Sequence, residues 1–204
     1  MISYQPLTIE DMPAIMSLQA QFWGADNTIP PSIFSVANTI GGVAIGAFSQ
    51  SQLVGFILSI PAVWESENTQ WSCRLLVCKD HQNKGIGKEL KTQQKNALIK
   101  MGINSLLWSY NPYDLKNAHL NLNKLQARII GINPKMYPVS PSERVIVRWD
   151  LTPQNIKITP SVMVLIPTDA SGYKGFVNAI SSYLQDGYVG VSIHNNQYAF
   201  GKYQ

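Results

Sequence analysis

The sequence predicts an α+β protein: a mixed, mostly antiparallel central sheet flanked by helices, with a small C-terminal strand-helix-hairpin extension. Two β-rich runs separated by the polar stretch Ser49-Gln50-Ser51-Gln52 read as a hairpin. Further along, apolar runs of strand length alternate with stretches of helical periodicity. Composition excludes simpler classes. Of 204 residues 45% are hydrophobic and 14% charged, against about 25% charged in an average soluble domain, so neither a disordered chain nor a coiled coil fits. This length suits one dominant core with a small appendix.

From the N-terminus, a first strand precedes Thr8, which with Asp11 and Pro13 forms a capping-type helix start. Ile15, Leu18 and Phe22 then recur at helical spacing, and Gly24 ends the helix. Pro30-Pro31-Ser32 opens a second helix to about Ile40, broken by Gly41-Gly42. Strands are predicted over residues 43–48 and 53–60, the second stopped by Pro61, and over 71–78. A loop over 80–87 leads into a helix over 88–101 with an inward stripe of Ile86, Leu90, Ala97 and Met101, capped by Gly102. A strand over 103–110, a turn at Asn111-Pro112-Tyr113-Asp114 and a helix over 116–128 follow, the last with the stripe Ala118, Leu122, Leu125 and Ile129. Strands over 144–151 and 162–166, a helix over 173–184 and a hairpin turning at His194-Asn195-Asn196 complete the chain.

Charge is unevenly distributed. No Lys or Arg precedes Arg74, while Glu10, Asp11, Asp26, Glu65 and Glu67 make that segment −5. From Arg74 onward 16 basic residues face 7 acidic ones, a balance of +9, with six lysines between Lys79 and Lys100. Such a split suits a nucleic-acid face, a site for a small polyanion, or merely a solvated helix face. Arginine is scarce and no aromatic residue interleaves the lysine cluster, which ranks nucleic acid last. No apolar run approaches the roughly 18 to 20 residues that cross a bilayer, and residues 1–7 do not have the pattern of a signal peptide, so a cytoplasmic protein without a membrane partner is expected. Cys73 and Cys78 suit neither a metal site nor a disulfide framework and are read as core thiols.

The segment that carries chemistry is Gln82-Asn83-Lys84-Gly85-Ile86-Gly87-Lys88, where a strand runs through a Gln-x-x-Gly-x-Gly loop into a helix. Glycines let a backbone approach a ligand closely, and a helix N-terminus adds about half a positive charge. The segment reads as a cradle for a pyrophosphate. It departs from a P-loop, having no Gly-Lys-Ser/Thr, and from a dinucleotide fingerprint, whose first glycine is missing.

This loop, with Val77 before it, resembles the signature of the GNAT acyltransferases, which transfer an acyl group from coenzyme A to an amine. The order of elements over about residues 1–150 agrees. Gly41-Gly42, Gly46-Ala47-Phe48, Val54-Gly55-Phe56, the run from Asn117 to Leu125, and Glu143-Arg144 with Trp149 resemble a branch of uncharacterised predicted GNAT acetyltransferases that also has a C-terminal segment. The resemblance implies acetyl-CoA as co-substrate, no metal, a small-molecule or peptide amine as acceptor, and two regions: residues 1–151 binding acyl-CoA and residues 152–204 packed on them. Backbone groups of Leu75 to Val77 would pair with the pantetheine arm, with an N–H near Val77 offered to the thioester oxygen, a donor of a kind worth about 3 kcal/mol. Gln82, Asn83, Lys84, Gly85, Gly87 and Lys88 would bind the diphosphate, Lys91 and Lys95 would face solvent, and Asn117 and Lys124 match the family's last helix.

Three positions depart from the family pattern, one of them Gln126, which stands where the family has a Gly two residues after the Lys. The general-base position is Trp71 and the general-acid position is Leu122, and losing such a group typically costs 10² to 10⁴ in rate. Tyr110, ending a strand, and Glu65 and Glu67, in the loop before the fourth strand, are the substitutes on offer; a core aromatic and a solvated carboxylate are their plain alternatives. Asn117 would bond the pantetheine or cap its helix. Two functions therefore stand: an N-acyltransferase acting on an amine, for which the acidic N-terminal segment suggests a cationic acceptor, or a catalytically weak acyl-CoA-binding module. The C-terminal segment is open to three roles: covering the sheet edge, completing the acceptor pocket, or forming a homodimer contact.

Overall fold

Ten strands and five α-helices form among the described residues of the computed structural model, which are 1–24, 28–138, 141–152 and 156–204; Asp26 lies outside them. The architecture is mixed α+β, and the strand pairing is mostly antiparallel. The chain divides into two units, Met1–Leu106 and Leu107–Gln204, a division at 106/107 where the sequence suggested one at 151/152.

In the first unit, strand order is β1 (Ile2–Pro6), β2 (Val43–Ser49), β3 (Gln52–Trp64), β4 (Glu67–Val77). Two-residue turns with positive φ join the hairpins: Gln50-Ser51 between β2 and β3, Glu65-Ser66 between β3 and β4. β3 continues through Pro61, contrary to expectation. β2 ends its pairing at Val43↔Ser59, so Pro61, opposite Gln70 of β4, sits where β3 has no β2 neighbour to receive its missing N–H. Glu67, expected in a loop, belongs to β4.

α1 (Met12–Trp23) starts from a short 3₁₀ turn whose Thr8 N–H donates to Asp11 Oδ2 at 2.8 Å, the expected capping box. With α2 (Pro31–Thr39) it buries Ile15, Leu18, Phe34 and Ala37 against Phe56, Leu58 and Leu76 of the sheet. Phe22 is instead 37% exposed. Cys73 and Cys78 are free thiols at the margin of this core, as read. Strand alternation leaves the opposite face of the sheet to α3 (Ile86–Lys100), which packs on β2, β3 and β4.

β5 (Ser105–Tyr110) spans the division between units. The second unit holds α4 (Leu115–Ala118), a π-helical stretch (His119–Lys124), β6 (Arg128–Asn133), β7 (Arg144–Asp150), β8 (Ile158–Leu165), α5 (Tyr173–Gln185), β9 (Val189–His194) and β10 (Gln197–Tyr203). Strand order is β5-β7-β6-β9-β10-β8. The helix expected over 116–128 stops at Lys124, and Arg128 and Ile129 begin a strand. Asn123 accounts for the stop: its amide bonds both backbone groups of Ile193, at 2.8 and 3.0 Å, tying the helix end to β9. Asp150 receives hydrogen bonds from Arg128 and Arg148. Residues 152–204 supply β8, α5, β9 and β10, and β9 meets β6 at Ile129↔Gly190.

Candidate functional site

The loop is held at both ends of its first turn. Cys78 N–H donates to Val54 O of β3 at 2.8 Å, and Gln82 Nε2 donates to Val77 O at 3.0 Å. Gln82, expected to touch the ligand, thus shapes the loop through its side chain. His81 Nδ1 lies 3.1 Å from Cys78 Sγ. Beyond Gln82 the backbone turns at two left-handed residues, Asn83 with φ 61° and Gly85 with φ 81°. Gly85 is the N-cap of α3, and no side chain caps that helix.

The consequence is a row of open donors. Among the described residues, the backbone N–H groups of Asn83, Lys84, Gly85, Ile86, Gly87 and Lys88 have no protein acceptor; the first helical bond runs from Glu89 N–H to Gly85 O at 3.0 Å. Any helix leaves its first N–H groups open, but here the turn before it adds more, and left-handed residues within such a turn direct amides into one concavity. Asn83, Lys84, Gly85 and Lys88 are exposed, so no side chain plugs the corner. A Cβ on Gly85 would meet nothing within 4 Å, and on Gly87 only Val77 Cγ2 at 4.0 Å. The fold therefore has space at Gly87 that it does not itself fill. Lys79, Lys84 and Lys88, all exposed, add positive charge, with exposed Asp80 opposing.

Leu75 and Val77 are half-buried on β4, opposite Ile57 and Gly55 of β3. A bulge at Cys73 lies upstream, where the register shifts between Leu58 and Ser59. Trp71 is half-buried and Leu122 is buried, so both proton-transfer positions are apolar in space as in sequence. Glu65 is exposed in the turn that begins β4, at the opposite end of that strand from the loop. Asp11 closes the capping box of the 3₁₀ turn before α1, and Glu67 accepts from Ser105 Oγ at 2.9 Å, so these two acids serve local structure.

The other candidates belong to the second unit. Tyr110 is 6% exposed, and its hydroxyl donates to Tyr198 Oη at 3.3 Å, which in turn donates to Pro112 O at 2.7 Å. Burial first, and then Tyr198, push the Tyr110 hydroxyl well above its ordinary pKa. Asn117 is exposed and joined to Asp114 through N–H and Nδ2, at 3.0 and 2.8 Å, which is a helix start. Lys124 is exposed.

One residue overturns its expectation. Lys91, expected in solvent, is 2% exposed and donates from Nζ to Ser72 Oγ at 3.0 Å. Burial pushes its pKa down to about 7, against a smaller opposing effect from the Cys73 thiol. Gln94, one turn on, is fully buried, and its amide atoms find no partner among the described residues. A stripe of Ile86, Leu90 and Leu98 marks the inner face of α3, and Lys91 and Gln94 fall on it at helical spacing. That spacing was the available signal. Met101, placed on the stripe from sequence, is 48% exposed.

By sequence, no family model and no curated protein matches the chain. Solved structures do. The ribosomal-protein-S18-alanine N-acetyltransferase of Escherichia coli superposes with TM-score 0.62 at 16% identity, covering 76% of this chain and 97% of that one. Aminoglycoside 6'-acetyltransferase type Ii gives 0.60 at 17%, covering 74% and 99%. A GNAT family acetyltransferase from Elizabethkingia anophelis with acetyl-CoA bound gives 0.57 at 18%, covering 73% and 97%. The chain has the fold of the GNAT acetyltransferases.

Proposed function

We propose that this protein is a coenzyme A-dependent N-acyltransferase that moves an acetyl or other short acyl group to an amine of a small molecule or peptide. The observation that supports it most is the row of open N–H groups from Asn83 to Lys88 over the uncapped start of α3, within a GNAT fold. The residues present fit the coenzyme: its diphosphate matches those amides and the Lys84 and Lys88 ammonium groups, and the open space at Gly87 lets it come close. When bound, acyl-coenzyme A would supply a thioester at which a neutral amine forms the C–N bond as the C–S bond breaks, the proton lost from nitrogen going to the leaving thiolate. The loop fixes the anionic end of the co-substrate, and the β4 backbone from Leu75 to Val77 lies next along the chain to orient its arm. The fold serves a ribosomal protein in one similar structure and an aminoglycoside in another, which supports either acceptor class. A cationic acceptor is supported by the charge of the N-terminal segment alone, in which Asp11 and Glu67 are engaged locally.

Acetyl-CoA at a hundred times its dissociation constant should stabilise the protein by about 2.7 kcal/mol, a melting shift of roughly 5 to 10 °C at this chain length. No shift at millimolar acetyl-CoA overturns the reading. A second reading, a binding module without turnover, is favoured by Trp71 and Leu122 and by the internal bonding of the Tyr110 hydroxyl. Melting protection without thiol release across a broad amine panel selects it; thiol release selects the enzyme.

A further inference from the structure

We propose that β8 is a self-association edge: two copies of this chain pair their β8 strands antiparallel about a twofold axis at Val164, joining their sheets edge to edge. The pairing is independent of coenzyme binding.

Residues 152–204 cover the β6 edge and create a new one, since β8 is the last strand of the order. The direction of its open backbone groups follows from the ladder. Ile166 N–H donates to Asn196 O at 2.9 Å, so in the antiparallel register the groups of Val164 and Val162, opposite Tyr198 and Phe200, also turn toward β10. The two-residue turn at Asn195-Asn196 agrees, because it sets the groups of Gln197 toward His194 of β9. The N–H and C=O of Met163 and Leu165 therefore point away from the sheet, and among the described residues nothing pairs with them.

A second copy matches this edge in hydrogen bonding, in shape and in charge. About a twofold at Val164, Met163 of each copy stands opposite Leu165 of the other, and each such pair exchanges both N–H···O bonds. Their side chains are 46% and 63% exposed. Alternation puts them on the face away from α5, whose Phe176 packs on Tyr198 opposite Val164, so the pairing also closes an apolar contact across strands. No charged residue lies between Lys157 and Asp169, and both of these are exposed. An antiparallel copy carries Lys157 of one chain toward Asp169 of the other at each end of the paired strands, whereas a parallel copy sets like charges side by side. Native edge strands are commonly blunted by charge, proline or a bulge. Here Pro160, beside the bulge at Gly201, guards only the start of β8. Residues 161–166 stay open, and Pro167 has no N–H with which to extend the pairing. A contact this short falls at the low end of interface size, so the dimer is weak and governed by mass action.

The test is sedimentation velocity of the full chain from about 50 µM to about 1 mM, with amide hydrogen exchange read by NMR at both ends of that range. The dimer fraction should rise with concentration and fall with salt. For a dissociation constant of about 50 µM, the Met163 and Leu165 amides exchange about threefold more slowly at the upper concentration. Met163→Lys combined with Leu165→Lys alters exposed side chains only, places like charges across the twofold, and should weaken association by about tenfold or more. A chain that stays monomeric at about 1 mM overturns the proposal, including the case in which the edge receives an extended segment of another protein. So does a dimer in which the Met163 and Leu165 amides exchange as fast as in the monomer, a measurement on the wild type that decides even if the double variant does not fold. A dimer that the folded double variant leaves intact overturns it as well.

Discussion

Gly85 and Gly87 look alike in the motif and differ in what they do. Gly85 turns at φ 81°, where a side chain is strained even though space is open, so Gly85→Ala should cost about 1 to 2 kcal/mol in urea unfolding. Gly87 has no positive φ, and a Cβ there has only one neighbour, at 4.0 Å. Gly87→Ala should leave stability within about 0.5 kcal/mol while weakening coenzyme A binding by roughly tenfold, about 1.4 kcal/mol, as calorimetry would read. Equal affinity for coenzyme A would remove Gly87 from the ligand surface. In the second unit, burial opposes ionisation of Asp150, but hydrogen bonds from Arg148 and Arg128 outweigh it, so its pKa is lowered. A lowered folded-state pKa contributes stability above the unfolded value, near 3.9, and loses it as pH falls through the folded value. Asp150→Asn should therefore destabilise by about 2 kcal/mol at pH 7 and by much less near pH 3, as paired urea titrations would show.

At the scale of elements, the strands around α5 are joined through tyrosines. Phe176 of α5 packs against Tyr113 and Tyr198, with ring centroids at 5.4 and 6.1 Å. Tyr198→Phe removes the donor to Pro112 O and the acceptor for Tyr110, and should cost about 1 to 3 kcal/mol. Tyr110→Phe separates structure from chemistry. With its hydroxyl engaged and its pKa raised, Tyr110 should be structural, and the variant should keep kcat within about threefold; a loss of a hundredfold or more would restore it as the general acid. The apolar stripe Ala118, Leu122, Leu125 and Ile129 also shows why one element was misjudged. All four residues are buried, and the spacing fits a single helix, yet Ile129 is buried from a strand. Periodicity reports which residues face inward, and it cannot see the π-helical end that Asn123 makes by bonding to Ile193, some 70 residues away.

For the whole molecule, the charge split acquires a use if the loop binds a diphosphate, because six lysines lie between Lys79 and Lys100. They do not act alike. Lys84 and Lys88 are exposed at the loop, and Lys91 is buried against Ser72 of β4. Exposed charges are screened over about 8 Å at physiological salt and about 3 Å at 1 M. Raising salt from 0.05 to 0.5 M should therefore weaken coenzyme A binding several-fold, and Lys84→Ala with Lys88→Ala should flatten that dependence. An unchanged salt slope in the double variant would place the anion elsewhere.

Local chemistry along the chain was enough to specify the α+β class, the antiparallel hairpins, the capping box at Thr8 and the loop from Gln82 to Gly87. Each depends on neighbours within a few residues: alternation, a two-residue turn, a cap, a glycine pair opening a helix. Packing between distant segments settled the rest. Whether the Lys91 amine meets water or Ser72 depends on which face of α3 the sheet covers, and whether Tyr110 can offer a proton depends on Tyr198, 88 residues away. The placement of residues 152–204 beside β6 likewise follows from strand pairing across the chain. Burial and long-range hydrogen bonds set the energy of a charge or a hydroxyl, and neither is a property of the few residues on either side of it.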